Sequence, residues 1–285
     1  MSNILLLYNR QSGRQQSEHT IDAVSAVYEQ AGEVVCIRSI DFESNPFEDI
    51  EEIDYVVVAG GDGSVGYVVD KMLHHGIHLP LGIIPAGTAN DFATMLGIPH
   101  SPREAARHIL RSATRTIDCG WVNGRHFINI FSFGLFTTTS QHTSGVHKRR
   151  FGRIAYMIEG LRELHSFRAL PLTINVDGAD VDVEVATALI FNGRTAGRLP
   201  LAREAKVDDG MLDFLFLLRR PLPLLLFDAL RYLCGGTSSS VKHLRGREFR
   251  ISSPITDIAT DTDGEPGPSF PLHIKCIPGC VIIKG

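Results

Sequence analysis

Three glycine-bearing segments could hold a phosphate: Asn9-Arg-Gln-Ser-Gly13, Gly60-Gly-Asp-Gly-Ser64 and Pro85-Ala-Gly-Thr-Ala-Asn-Asp-Phe92. Each follows a short apolar run and precedes residues with helical periodicity. Where no Cβ intervenes, backbone amides approach an anion closely, and a helix N-terminus adds partial positive charge. One such segment is also ordinary turn chemistry. Three at one edge of one sheet point to a phosphate site. The chain has neither the lysine-bearing P-loop pattern nor the GxGxxG dinucleotide pattern. Carboxylates inside these segments need a reason, because they repel a polyphosphate. Asp62 and Asp91 must bind a metal ion, bond a ribose or cap a helix, and capping is the simplest role for Asp91. Thr88 can donate to a phosphate, cap its helix, or do both. Asp208-Asp-Gly210 and Asp263-Gly-Glu265 read equally as turns or as carriers of chemistry. Phosphoryl transfer to an alcohol benefits from a carboxylate that accepts the hydroxyl proton.

Such segments need a sheet to present them. The apolar runs Ile4–Tyr8, Val34–Ile37, Tyr55–Ala59 and Leu81–Ile84 predict four strands. Between them, Ile21, Val24, Tyr28 and Ala31 recur at helical spacing, with Gly32 as the stop. Val65, Val68, Val69, Met72 and Leu73 line another helix, with Ser64 as its N-cap. A further helix runs through Phe92, Met95 and Leu96. Ser101-Pro-Arg-Glu104 predicts a helix start with a serine cap and a reciprocal glutamate. This alternation predicts a parallel sheet covered on both faces, with ligands beyond the carboxyl ends of its strands. Past residue 120 the pattern turns to hairpins. Asn123-Gly124 and Asp177-Gly178 predict two-residue turns. Thr187–Phe191, Leu212–Leu218, Glu248–Ile251 and Leu272–Cys276 are strand candidates, and Ile154, Ile158, Leu161 and Leu164 mark one helix. That half reads as a β-sandwich or barrel.

Composition narrows the class. The 285 residues carry 28 Lys+Arg against 32 Asp+Glu, a formal net charge of −4, which argues against nucleic acid as the main partner. At 44% hydrophobic and 21% charged, the chain can bury a sizeable core, and its length suggests two domains. Cys36, Cys119, Cys234, Cys276 and Cys280 form an odd set without a CxxC pair, which argues against a zinc site or a disulfide framework. The first residues read as a strand rather than a signal peptide. The most apolar stretch, Met211–Leu233, is interrupted by Asp213, Arg219, Arg220, Pro221, Pro223 and Asp228, so no membrane span is expected.

Gly-Gly-Asp-Gly-Ser64 followed by Pro85-Ala-Gly-Thr-Ala-Asn-Asp-Phe-Ala93 resembles the catalytic domain of the diacylglycerol kinase family in its short bacterial form. The first motif is shared with NAD kinases and phosphofructokinases; the second is the specific one. Asn129 with Gly134, Phe151-Gly-Arg-Ile-Ala-Tyr156, Asp208-Asp-Gly-Met-Leu-Asp213 and Asp263-Gly-Glu265 extend the match over essentially the whole chain. The resemblance implies a nucleotide-binding α/β domain over 1–119 plus 279–285. It implies a β-sandwich lipid-substrate domain over 120–278, with the last strand, Val281–Ile283, returning to the first domain. It places the active site in the interdomain cleft. The implied activity is ATP- and Mg²⁺-dependent phosphorylation of a lipid hydroxyl at a membrane surface, in the cytoplasm or against the inner membrane face. Nucleotide would lie on Asn9, Gly60, Gly61, Asp62, Gly63, Ser64, Gly87, Thr88, Asn90 and Asp91. Glu265 would act as base, with Asp62 and Asp263 beside it. A structural Mg²⁺ outside the cleft would take the Asp209 carboxylate and the carbonyls of Lys206 and Met211.

The chain departs from that family at three places. Gly66-Tyr67 stand where Asn-Glu is usual, Phe136 where an aspartate is usual, and Arg10 where a proline is usual. The first two remove polar groups from the expected site and imply a slow enzyme or a different substrate. An NAD kinase and a nucleotide- or lipid-binding protein without turnover are the alternatives. The basic cluster His147-Lys-Arg-Arg150 with Arg153 is a solvated helix start or a contact for phosphate or anionic lipid. Leu222, Leu225, Leu226, Ala229, Leu230 and Leu233 form a stripe that reads first as core, and second as an exposed face suited to lipid extraction.

Overall fold

A strand that is apolar at every position can be buried on both faces only inside a covered sheet. β1 (Asn3–Tyr8), β3 (Tyr55–Gly60) and β4 (Leu81–Pro85) are such strands in the computed structural model, which describes residues 1–10, 14–50, 52–134 and 169–285. Phe136, the basic cluster at 147–153 and the helix expected over 154–164 lie outside the described residues, as do positions 11–13 of the first loop. β2 (Val34–Ser39) is the half-exposed edge, and the four strands run parallel in the order β4-β3-β1-β2. Their helices are α1 (Arg14–Gln30), α2 (Asp62–His74), α3 (Asp91–Met95) and α4 (Pro102–Arg111). Two cap expectations need correction. Gly61, not Ser64, is the N-cap of α2, so Ser64 lies within the first turn. Ser101 does cap α4 by position, but no side-chain capping bond forms there.

The remainder of the chain pairs antiparallel, apart from one parallel pairing of its last strand with β4. In order it comprises β5 (Thr114–Val122), β6 (Arg125–Phe127), β7 (Ile130–Gly134), β8 (Leu170–Val176) and β9 (Ala179–Phe191). A small pair follows, β10 (Thr195–Ala196) and β11 (Leu199–Pro200), then β12 (Leu212–Leu218) and the helix α5 (Leu222–Leu233). β13 (Val241–Gly246), β14 (Glu248–Ser252), β15 (Thr260–Thr262), β16 (Glu265–Pro266) and β17 (Leu272–Lys284) complete it. Asn123-Gly124 and Asp177-Gly178 are two-residue turns, and Asp263-Gly264 is a third; all six residues have positive φ. Such mirror-image turns match the right-handed twist of the strands they join.

Two strand candidates merge. Leu272–Cys276 and Val281–Ile283 are one strand, β17, irregular between Ile277 and Val281, where Gly279 takes a φ of 59°. Its first part pairs with β14 and its last part reaches Leu81 of β4. Hydrogen bonding is therefore continuous through a 15-stranded sheet, yet the cores are separate. Leu6, Val57, Ile83, Cys119 and Ile283 pack in one; Val122, Phe131, Phe214 and Cys276 pack in another. The protein is an α/β unit followed by a β-sandwich unit. α2 meets the second unit through Asp70, whose carboxylate accepts from the His126 amide at 2.7 Å.

Candidate active site

The glycine segments after β3 and β4 touch backbone to backbone. A methyl group on Gly87 would lie 2.4 Å from Gly61 Cα, and one on Gly61 would lie 3.0 Å from Gly87 Cα. Neither neighbour is a side chain that could move aside, so this approach requires both glycines. Asn90 fixes the second loop. It takes the left-handed conformation at φ 52°, accepts from the Gly87 amide at 2.9 Å and donates to the Gly87 carbonyl at 3.0 Å. Short polar side chains tolerate that conformation because they can bond locally. Asn9 joins from β1, donating from Nδ2 to Ser64 Oγ at 3.2 Å. The structure thus brings Asn9, Gly60–Ser64 and Gly87–Asp91 together at the carboxyl ends of parallel strands.

Of the two loop carboxylates, Asp62 takes the helix-capping role expected of Asp91. Asp91 does not cap its own helix; Asn90 holds the N-cap position, and no side-chain cap bond forms. Asp62 supplies that function across the loops. Its oxygens accept from the Asp91 amide at 3.1 Å and the Phe92 amide at 2.9 Å, the first donors of α3. Burial holds the Asp62 carboxyl above the usual carboxylate range, and the neighbouring charge of Asp91 adds to that, against the pull of the amides. Asp91 instead accepts from the Arg198 amide at 2.7 Å.

Arg198 was not legible as a site residue. Its φ of 67° places it in the turn between β10 and β11, and its guanidinium donates to the Thr88 carbonyl at 2.5 Å and the Ala89 carbonyl at 3.2 Å. An exposed cation therefore stands over the second phosphate-loop candidate. The only sequence signal was the Gly197 turn, which says nothing about residue 88.

Asp263 is a positioning group. Its carboxylate accepts from three consecutive amides, Ile128 at 2.7 Å, Asn129 at 3.0 Å and Ile130 at 2.8 Å. It was expected beside the base, and its oxygens are turned into the β6–β7 connection. Burial nevertheless pushes its carboxyl up to about 7, outweighing those three donors. Asn129 passes the link onward by donating to the Thr195 carbonyl at 3.1 Å, in the small pair that carries Arg198. On the α2 side, a methyl group on Gly66 would stand 3.0 Å from Asp263 Oδ2. The missing side chain at position 66 is thus matched by the carboxylate that fills its space. Tyr67 stands where a polar group was expected near the nucleotide. It turns instead to the loop after β2, donating to the carbonyls of Ser44 at 2.5 Å and Asp41 at 3.0 Å.

Glu265 opens β16, two residues past Asp263, and is exposed. A methyl group on Gly63 would lie 3.7 Å from Glu265 Oε1. The hairpin therefore delivers a solvent-facing carboxylate to the first turn of α2.

At the expected structural magnesium site the Asp209 carboxylate is engaged within the protein. Asp209 is ion-paired with Arg245 and accepts the Met211 amide at 3.1 Å. A cation placed there would face the Arg245 guanidinium, so Asp209, Lys206 and Met211 do not fit a resident metal. Nearby Asp118 makes the local ties, accepting from the Gly210 and Gly279 amides at 2.7 and 2.8 Å. No group of three or more His, Cys, Asp or Glu side chains suited to a metal occurs among the described residues.

Residues 3–122 match the diacylglycerol kinase catalytic domain, and residues 129–284 match the YegS C-terminal NAD kinase beta sandwich-like domain. A "Diacylglycerol kinase" of Bacillus subtilis is 29% identical, covering 95% of this chain and 92% of that protein. A Pseudomonas aeruginosa protein named "Probable lipid kinase YegS-like" is 30% identical, covering 98% and 92%. A crystal structure of a diacylglycerol kinase from Bacillus anthracis has the same fold, with a TM-score of 0.77, 24% identity and coverage of 99% and 96%. The chain belongs to the diacylglycerol kinase and YegS-like family of bacterial lipid kinases.

Proposed function

We propose that the protein transfers the γ-phosphoryl group of ATP to the hydroxyl of a diacylglycerol-like membrane lipid, in the space between its two units. The observation that carries this reading is the exposed Glu265 carboxylate against Gly63, at the start of α2. Phosphates on Gly60–Ser64 and Gly87–Thr88 would meet backbone amides and the N-terminus of a 13-residue helix. Arg198 would add positive charge beyond Thr88. Glu265 would accept the lipid hydroxyl proton as the new P–O bond forms and the bond from γ-phosphorus to the β–γ bridging oxygen breaks, releasing ADP. Magnesium would accompany the ATP; the Asp62 and Asp91 carboxylates stand beside these loops, tied to the amides of Asp91, Phe92 and Arg198. That ion would neutralise phosphate charge. Asn90 and Asp263 hold the loops and the hairpin in register. The diacylglycerol assignment follows the names of the relatives; any lipid presenting a hydroxyl at a bilayer surface meets the same chemistry.

Purified protein with magnesium and γ-labelled ATP should label diacylglycerol in mixed vesicles. Glu265→Gln should abolish the labelling while leaving ATP binding by calorimetry intact. No transfer to any lipid and no ATP binding would sink the proposal. Formation of NADP from NAD would move the protein to the NAD kinases. The lack of a polar side chain at Gly66, beside Asp263, favours one second reading, a nucleotide- or lipid-binding protein without turnover. Tight ATP or lipid binding with no transfer would establish it.

A further inference from the structure

α5 has two unlike faces. One is fixed to the β-sandwich unit. Asp228 is buried and accepts from Ser240 Oγ, the Tyr232 hydroxyl donates to the Leu201 carbonyl at 2.7 Å, and Arg203 donates to the Tyr232 carbonyl at 3.0 Å. The other face shows Leu224, Phe227 and Leu230, which are 51%, 61% and 63% exposed. A spacing of three residues puts them on one stripe of the helix. Isolated exposed leucines need no explanation, but three large apolar side chains in a row on one helix do.

The charge around this stripe selects the partner. From Arg219 to Arg231 the chain carries three Arg (219, 220 and 231) and one acidic residue, Asp228, which is buried. Arg219 and Arg220, just before the helix, and Arg231 within it are all exposed. This local excess occurs in a protein of net charge −4. A second copy of the chain is a poor occupant, because a twofold contact would set these arginines against each other. Three side chains also fall short of the roughly 1,000 Å² that a stable interface needs. A 12-residue helix spans about 18 Å, too short to cross a bilayer. An apolar stripe flanked by arginines suits a helix lying in the plane of an anionic membrane surface.

We propose that α5 is the membrane-contact element, with Leu224, Phe227 and Leu230 entering the headgroup boundary and Arg219, Arg220 and Arg231 meeting anionic lipid. The inference rests on the lipid-kinase reading only for its purpose, which is to bring the protein to its substrate. Residues 198–203 connect the two places, bonded to Thr88 and Ala89 at one end and to Tyr232 at the other.

The test is flotation, without nucleotide, on vesicles of equal parts phosphatidylglycerol and phosphatidylcholine, and on phosphatidylcholine alone. The wild-type protein should bind the anionic vesicles, less so as salt is raised. Phe227→Ser combined with Leu230→Ser should weaken binding by roughly tenfold or more. Arg219→Glu combined with Arg220→Glu should remove the preference for anionic vesicles. Unchanged melting temperatures would show that both variants fold. Turnover on a short-chain acceptor dissolved as monomer should be retained in both and should fall only on vesicle-borne acceptor. The idea is overturned by absent wild-type binding, by equal binding of the wild type and the serine variant, or by a wild-type dimer that the serine variant dissolves. If no acceptor is phosphorylated yet binding follows α5 as stated, the kinase reading fails and this one stands.

Discussion

Asp177-Gly178 and Asp263-Gly264 are the same turn in different surroundings. Both close two-residue hairpins with positive φ at both positions, and in both the aspartate accepts amides from a distant segment. Asp177 bonds the Arg247 and Glu248 amides at the surface, the closest at 2.9 Å. Asp263 bonds three amides in the interior. The residue that follows is Ala179 in the first turn and Glu265 in the second, each beginning the return strand. Turn chemistry alone therefore makes a structural tie. Function appears where the tie is buried against α2 and the next residue is a carboxylate beside Gly63.

The largest effect should come from that next residue. Glu265→Gln should lower turnover by about 10²–10⁴-fold, the contribution typical of a positioned acid–base group, with no change in melting temperature. Ala179→Glu should leave turnover as it is; loss of turnover there would break the comparison. Asp263→Ala strands two buried amides, each costing about 1–3 kcal/mol, and a partly buried third, and should destabilise the protein by several kcal/mol in denaturant titration. Asp177→Ala should cost about 1 kcal/mol, since water can replace its carboxylate.

Gly87→Ala should fall between these, at about 1–3 kcal/mol or more, because the new methyl group meets Gly61 Cα at 2.4 Å. It should also weaken ATP binding by calorimetry. A further effect is a pH dependence. Asp263 titrates near 7 in the folded protein against an ordinary value of 3.8 in the unfolded chain. The folded state therefore holds the proton more tightly. Its stabilising effect is complete below about 4 and is lost as pH rises to about 7, so this group makes stability fall across that window. Urea midpoints across the window should show the fall in wild type but not in Asp263→Asn. An unchanged slope in that variant would assign the dependence to other groups.

Much of this was readable from residue types. Four strands, the loops after β3 and β4 and both Asn-Gly and Asp-Gly hairpins follow from period and turn chemistry. Those signals are local, because they arise from side-chain alternation and allowed φ values within a few residues. Pairings between separated carboxylates and amides were not readable. Asp62 caps α3 from 29 and 30 residues away, and Arg198 reaches Thr88 across 110. Asp209 is paired with Arg245, 36 residues on.

The sequence by itself determined the two-unit plan, the family and the glycines that let loops approach, because periodicity, motif spacing and the absence of Cβ are properties of the chain. Only the tertiary structure decided which carboxylates remain open to a ligand. A carboxylate's chemistry depends on the donors and charges around it and on its exposure to water, and these come from distant strands. Asp62, Asp209 and Asp263 are bonded into the fold, whereas Glu265 faces solvent at the head of α2.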